Sequence, residues 1–97
     1  MSLQKYLVVI EKAENNYSAY SPDLSGCITV GNTFEETISN IKEAIELYLE
    51  ASIEHGQNLP DPKGLRYYMD EGIFNENAIA EEYFIAQVEI HFPKIAA

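Results

Sequence analysis

Cysteine and basic residues are scarce in this sequence, and tryptophan is absent. The one cysteine, Cys27, cannot form a disulfide within the chain, which is typical of a protein in a reducing compartment. Six Lys and Arg stand against 16 Asp and Glu, for a net charge of −10. Because phosphate binding needs clustered Lys and Arg, this balance argues against nucleic acid as the direct ligand and suits a basic protein partner. Solubility alone would also account for the excess of acid.

Long hydrophobic runs are also missing. The longest apolar run is the five residues 6–10, whereas a membrane-spanning helix needs about 20 such residues. The N-terminus shows no basic segment followed by an apolar one, the pattern of a secretory signal. We therefore expect a cytoplasmic protein that does not associate with a membrane.

The opening third of the chain is rich in residues that favour strands. The 97 residues, 46% of them hydrophobic, suffice for a single domain, 1–97, with its own core. Short β-rich segments lie at residues 6–10, 17–20 and 27–30, separated by polar turn and loop residues. The first is apolar throughout, which indicates a strand buried on both faces. Together the three segments predict an antiparallel meander.

A long amphipathic helix is predicted over residues 34–55. Thr33 and Glu36 have the spacing of a capping box at its start, and Gly56 is a natural stop at its end. Apolar residues recur behind the cap at steps of three and four and form one stripe: Phe34, Ile38, Ile41, Ala44, Ile45, Tyr48, Leu49 and Ile53. At 1.5 Å per residue such a helix is about 33 Å long, enough to cross the whole sheet.

The segment after this helix is less regular. Two prolines end the helical region, and residues 63–72 are compatible with a short second helix that has Leu65, Tyr68 and Met69 on one side. Residues 75–82 indicate a loop or a single helical turn.

A final strand is predicted over residues 83–90. Because a long helix separates it from the third strand, we expect a crossover connection and a fourth strand parallel to one of the first three. The predicted fold is therefore α+β, in the order β-β-β-α-β, with a possible short second helix.

Three segments of the chain form a combined pattern: residues 21–27, Gly31-x-Thr33-x-Glu35-Glu36, and Asn40-Ile41-x-Glu43-Ala44-Ile45. This pattern resembles the signature of the HicB family of antitoxins. The resemblance implies a partial ribonuclease-H-like fold that binds and masks HicA, a small basic ribonuclease toxin of a type II toxin-antitoxin system. It also implies association into homo-dimers or larger assemblies.

The sequence departs from the family pattern in three respects, of which one is a stretch at residues 63–82 that is longer than a minimal domain needs. Many members carry a C-terminal DNA-binding module, whereas this sequence stops at Ala97, a few residues beyond the last predicted strand. We therefore expect no direct DNA binding. Ser25 also stands where the family usually has proline.

Two groups of residues are candidates for partner binding. Glu43, Glu46, Glu50 and Glu54 recur at helical spacing opposite the apolar stripe, and we call them the acidic ridge. Asp23 and Leu24 lie in the Pro- and Gly-containing loop before the third strand. A solvated helix face and an ordinary turn are the alternative interpretations of the two groups.

Catalysis has little support in the sequence. Ribonuclease-H chemistry needs three or four carboxylates around two divalent metals, and the first strand has none before Glu11 at its far end. Cys27 has no base near it in sequence, and His55 and His91 lack metal-ligand spacing. We expect no catalytic residue, metal or cofactor. The alternative function is a stand-alone ribonuclease-H-like domain that binds RNA or is a degenerate nuclease.

Overall fold

The computed structural model describes residues 3–74 and 82–91. The elements are β1 (Leu3–Lys12), β2 (Tyr17–Tyr20), β3 (Ile28–Gly31), α1 (Phe34–Glu54), α2 (Leu65–Glu71) and β4 (Tyr83–His91). The four strands form one sheet in the order β3-β2-β1-β4. The predicted α+β class, the β-β-β-α-β order and the short second helix are all confirmed. The loop or turn predicted at residues 75–82 falls outside the described residues, apart from Glu82.

The position of β4 differs from the sequence expectation. It pairs antiparallel with β1, with Tyr83 opposite Glu11 and Val88 opposite Tyr6, and the expected parallel pairing is wrong. The reason is the path of the chain after α1. The hydroxyl of Tyr6 bonds to the carbonyl of Pro60, so the segment after α1 lies near the start of β1. Strand β4 begins at the other end of β1, where Tyr83 lies opposite Glu11. The chain must therefore cross the length of β1 between Pro60 and Tyr83, and β4 then runs antiparallel to β1.

Strand β1 is the centre of the sheet and is buried on both faces, as predicted. Its residues 6–10 are all buried, with an exposure of 2% or less. Tyr6, Val8 and Ile10 alternate onto the face that packs against α1, while Leu7 and Val9 point to the opposite face. We call the face that carries Leu7 and Val9 the open face, because α1 does not cover it.

The ends of α1 follow the predicted signals. The Thr33 hydroxyl accepts a hydrogen bond from the Glu36 amide at 3.0 Å, and the Glu36 carboxylate accepts one from the Asn32 amide at 2.6 Å. These bonds satisfy amide groups that have no partner within the helix. At the other end His55 is the C-cap, and Gly56 has a φ of +69°, a conformation that costs glycine little.

The inward face of α1 completes the core. Ile41, Ile45 and Leu49 are fully buried against the helix-facing side of the sheet. Ile53 was predicted to continue this stripe but is 37% exposed. Ser52 takes the inward position in the last turn and bonds to the carbonyl of Tyr48 at 3.0 Å.

Helix α1 also approaches the sheet closely at Gly31, the last residue of β3. A Cβ at this position would lie 2.8 Å from the backbone nitrogen of Thr37 and would overlap its side chain. Thr37 is fully buried and bonds through its hydroxyl to the carbonyl of Thr33. Glycine is therefore required at residue 31 by space.

Helix α2 buries less of its surface than the sequence suggested. Of the three residues predicted on its inner side, only Tyr68 is buried, whereas Leu65 and Met69 are exposed. The helix ends at Gly72, which adopts the left-handed conformation. A seven-residue helix that buries one large side chain needs further contacts to stay in place.

The assignment of the two faces of α1 yields a test by substitution. Ile41→Ala should lower the free energy of unfolding by about 2–5 kcal/mol, because it leaves a cavity in the core. Glu50→Gln on the outer side should change it by less than about 0.5 kcal/mol. Urea denaturation of both variants measures the difference. Similar losses of stability in the two variants would contradict the assignment.

Candidate partner-binding surface

The loop before β3 folds inward. The amide of Ser21 bonds to the carbonyl of Cys27, and the amide of Cys27 bonds to the carbonyl of Leu24. These bonds close the loop around Leu24, which is 1% exposed and belongs to the core cluster. Leu24 was predicted to contact a partner, but a side chain this deeply buried offers a partner almost no surface.

Asp23 ties the loop to the segment that contains α2. One carboxylate oxygen, Oδ1, accepts a hydrogen bond from the Tyr68 hydroxyl at 2.6 Å and another from the Lys63 amide at 3.0 Å. Bonds to a charged acceptor are stronger than those between neutral groups. Asp23, the other loop residue predicted to contact a partner, thus holds α2 in place from more than 40 residues away in the chain.

Two tyrosine hydroxyls act as fixed donors in this region. Burial, and then the charges of Asp23 and Asp61, raise the pKa of Tyr6 to about 12 from its ordinary value of 10.0. Burial and the hydrogen bond to Asp23 also raise the pKa of Tyr68. The folded chain therefore holds both protons more tightly than the unfolded chain does. For Tyr6 this contribution to stability is complete below pH 10 and is lost as the pH rises through about 12.

The acidic ridge lies on the solvent side of α1. Glu43 and Glu54 are exposed, and Glu46 and Glu50 are half-buried. At 3.6 residues per turn, all four point away from the inward side of the helix that carries Ile45. The arrangement predicted from helical spacing is thus present as a surface.

Leu47 lies within the acidic ridge and was missed in the sequence. It is 59% exposed, with Glu43 one turn before it and Glu50 and Glu54 one and two turns after it. The signal was available, because Leu47 lies about 200° round the helix from Ile45. A single exposed leucine is ordinary on a protein surface, and what distinguishes Leu47 is the carboxylates one turn before and after it.

The open face of the sheet carries a second set of exposed apolar residues. Ile28 lies opposite Tyr20, Tyr20 opposite Val9, and Val9 opposite Ile85, so these four side chains form a row across all four strands. Ile28 and Ile85, at the two edges of the sheet, are exposed. The same face holds Val30, which is 58% exposed. The sequence analysis did not assign a role to this row, because it depends on strand order.

Side chains that could bind a metal or take part in catalysis are dispersed over the described residues. No set of three or more His, Cys, Asp or Glu side chains within residues 3–74 and 82–91 is placed to hold a metal ion. Cys27 is buried, and burial raises the pKa of its thiol, which makes it a weak nucleophile. A ring nitrogen of His55 bonds to the carbonyl of Ala51 at the end of α1. Neither α1 nor α2 is long and apolar enough to cross a membrane.

The family profile described as "HicB_like antitoxin of bacterial toxin-antitoxin system" matches residues 6–94. The chain therefore belongs to this family, and the resemblance seen in the loop and helix motifs is confirmed.

Several relatives match part of the chain. A UPF0150 protein of Synechocystis is 48% identical over 59 residues, which is 60% of this chain and 75% of that protein. A UPF0150 protein of Helicobacter pylori is 61% identical over 41 residues, which is 42% of this chain and 57% of that protein. The match thus spans less than two thirds of the Helicobacter protein.

Solved structures show the same fold over nearly the whole chain. A chain of the HicA3 and HicB3 toxin-antitoxin complex superposes with a TM-score of 0.71 and 32% identity, covering 91% of this chain and 99% of that one. The antitoxin HicB3 gives a TM-score of 0.72 and 32% identity, over 91% of this chain and 62% of that antitoxin. The Burkholderia pseudomallei antitoxin HicB, at 21% identity and a TM-score of 0.75, shares the fold over 94% of this chain and 66% of that one.

The role of Asp23 as the anchor of α2 leads to a testable prediction. Asp23→Ala removes both hydrogen bonds and should weaken the docking of α2 by about 1.5–3 kcal/mol, so amides 65–71 should exchange faster with solvent. Asp70→Ala is the control. It removes an exposed ion pair with Arg66 on the same helix, worth less than about 1 kcal/mol. Equal exchange rates in the two variants would show that Asp23 does not hold α2.

Proposed function

We propose that this chain is an antitoxin-like binding module whose partner is a small basic ribonuclease toxin of the HicA type. The observation that carries the proposal is its membership of the antitoxin family, together with its likeness to a chain from a toxin-antitoxin complex. In this proposal the chain acts by covering the toxin and not by a reaction of its own.

Charge supports a basic partner. The chain carries a net charge of −10, and a ribonuclease must present positive charge to the phosphates of its RNA substrate. An acidic protein surface can therefore compete for the same face of the enzyme. Such complementarity chiefly speeds the encounter of the two proteins, while affinity rests on a few buried apolar contacts.

The alternative of RNA binding by this chain finds no support in its cations. Lys5, Lys12 and Arg66 each lie 3.7–3.9 Å from a carboxylate, those of Glu89, Glu82 and Asp70 respectively. These three of the six cations, two on β1 and one on α2, are each close to a carboxylate and do not form the positive groove that RNA needs.

Neutralisation of a toxin tests the proposal. The small basic protein encoded beside the gene for this chain should arrest cell growth when it is expressed alone. Co-expression of this chain should restore growth. The purified pair should form a stable complex in which ribonuclease activity falls in proportion to the chain added. Association should slow by at least ~10-fold between about 50 and 500 mM salt. Failure of this chain to bind or inhibit that protein would refute the proposed function.

We also propose that the chain associates with itself through the open face of the sheet. Exposed Ile28, Val30 and Ile85 provide apolar contact area on this face. The charges of Lys5 and Glu89 pair with each other there, at 3.9 Å. Two copies would therefore repel each other less through the open face than through the acidic ridge.

Light scattering on the purified chain should give the mass of a dimer or a larger assembly. Val30→Lys on the open face should shift the equilibrium towards the monomer, since it places unpaired charges against each other. Lys is also a residue that natural edge strands use against pairing. Leu47→Lys on the opposite side should leave the mass unchanged. A monomeric wild-type chain at high concentration would contradict self-association.

A further inference from the structure

Leu47 occupies a position that the fold does not require to be apolar. At 3.6 residues per turn it lies about 200° round the axis of α1 from the buried Ile45. It does not belong to the hydrophobic core cluster. A polar residue there would serve a monomeric domain at least as well. Core packing therefore does not account for a leucine at this position, where the side chain is 59% exposed.

The carboxylates around Leu47 do not stabilise the isolated helix either. Glu50 and Glu54 are a like-charged pair separated by one turn, and such a pair destabilises a helix. The only cation in the sequence of α1 is Lys42. A basic surface placed against this face would turn mutual repulsion into attraction.

We propose that this face of α1 is the docking surface for the partner, with Leu47 as the apolar anchor and Glu43, Glu50 and Glu54 as the frame around it. The inference rests on the proposed function and adds the site. The occupant is a basic protein whose surface has an apolar pocket bordered by Lys or Arg side chains. Protein interfaces commonly have a buried apolar centre, which supplies most of the affinity, and a polar or charged rim around it.

A second copy of this chain does not fit the same face. It would bring a further net charge of −10 and its own ridge of carboxylates against the first. RNA is excluded by the same repulsion. Charge complementarity therefore selects a cationic protein as the occupant.

The exposed side chain of Met69 lacks this frame. Met69 on α2 is as exposed as Leu47, at 58%, but the residues one turn away on either side are Leu65 and Gly72. Met69 is therefore a matched control, equal in exposure and different in electrostatic surroundings.

Binding kinetics of paired variants test the site. The probe is a catalytically inactivated form of the neighbouring-gene basic protein used in the neutralisation assay. Leu47→Ser should raise its dissociation rate by ~10-fold or more, since anchors act mainly on dissociation. Met69→Ser should stay within about 2-fold of the wild-type chain. Both variants should keep the wild-type melting temperature, since both side chains are exposed.

The carboxylate frame is tested by a second pair of variants. The double variant Glu43→Gln, Glu50→Gln should slow association and flatten its dependence on salt. The double variant Glu14→Gln, Glu71→Gln removes the same charge from exposed positions off this face and should have less effect on both quantities.

The possible outcomes separate the site from the function. If the wild-type chain binds and inhibits the basic protein but Leu47→Ser behaves like Met69→Ser, the docking surface is wrong and the proposed function stands. Loss of binding in Val30→Lys alone would likewise overturn the site and place the partner on the open face. If the wild-type chain forms no complex with the basic protein, the proposed function fails and the site with it.

Discussion

The packing of α1 against β1 is the interaction on which the other features of this domain depend. Ile41, Ile45 and Leu49 are fully buried against the side of the sheet that carries Tyr6 and Val8. Burial of large aliphatic side chains is the dominant favourable contribution to folding, and a helix can turn only one face inward. Once that face is set, the acidic ridge and Leu47 must point to solvent. Helix α1 does not cover the other side of the sheet, where Leu7 and Val9 at the centre are buried and Ile28 and Ile85 at the edges are exposed.

The described part of the segment after α1, residues 55–74, is held by polar contacts more than by apolar burial. Asp23 accepts bonds from Tyr68 and Lys63, and Tyr6 bonds to Pro60, so two hydrogen-bonded points fix a short helix that buries only one large side chain. The two bonds from tyrosine hydroxyls lie in partly buried surroundings, where an unpaired polar group would be costly. A loop that appeared suited to contact a partner is in this way part of the internal framework.

The two exposed apolar surfaces lie on opposite sides of the molecule, since α1 covers one face of the sheet and the row through Ile28 and Ile85 lies on the other. In the functions proposed above, the acidic face of α1 serves a basic partner and the open face serves a second copy. Neither surface overlaps the other, so the two associations would not compete. An assembly of two copies would then present two acidic faces outwards and could bind two partners.

The sequence by itself determined the elements whose signals are local. The capping box at Thr33, the stripe of α1 and the apolar run of β1 act over a few residues. Helix α1 was predicted to within one residue of its ends, and the predicted strand 6–10 is the buried middle of β1, which runs from Leu3 to Lys12. Two of the three parts of the family motif lie at the start of α1 and within it. Tertiary structure alone decided the antiparallel entry of β4, the inward fold of the loop at Asp23 and the row across the open face. Each of these depends on contacts between residues far apart in the chain, and neither hydrophobic periodicity nor capping carries information at that range.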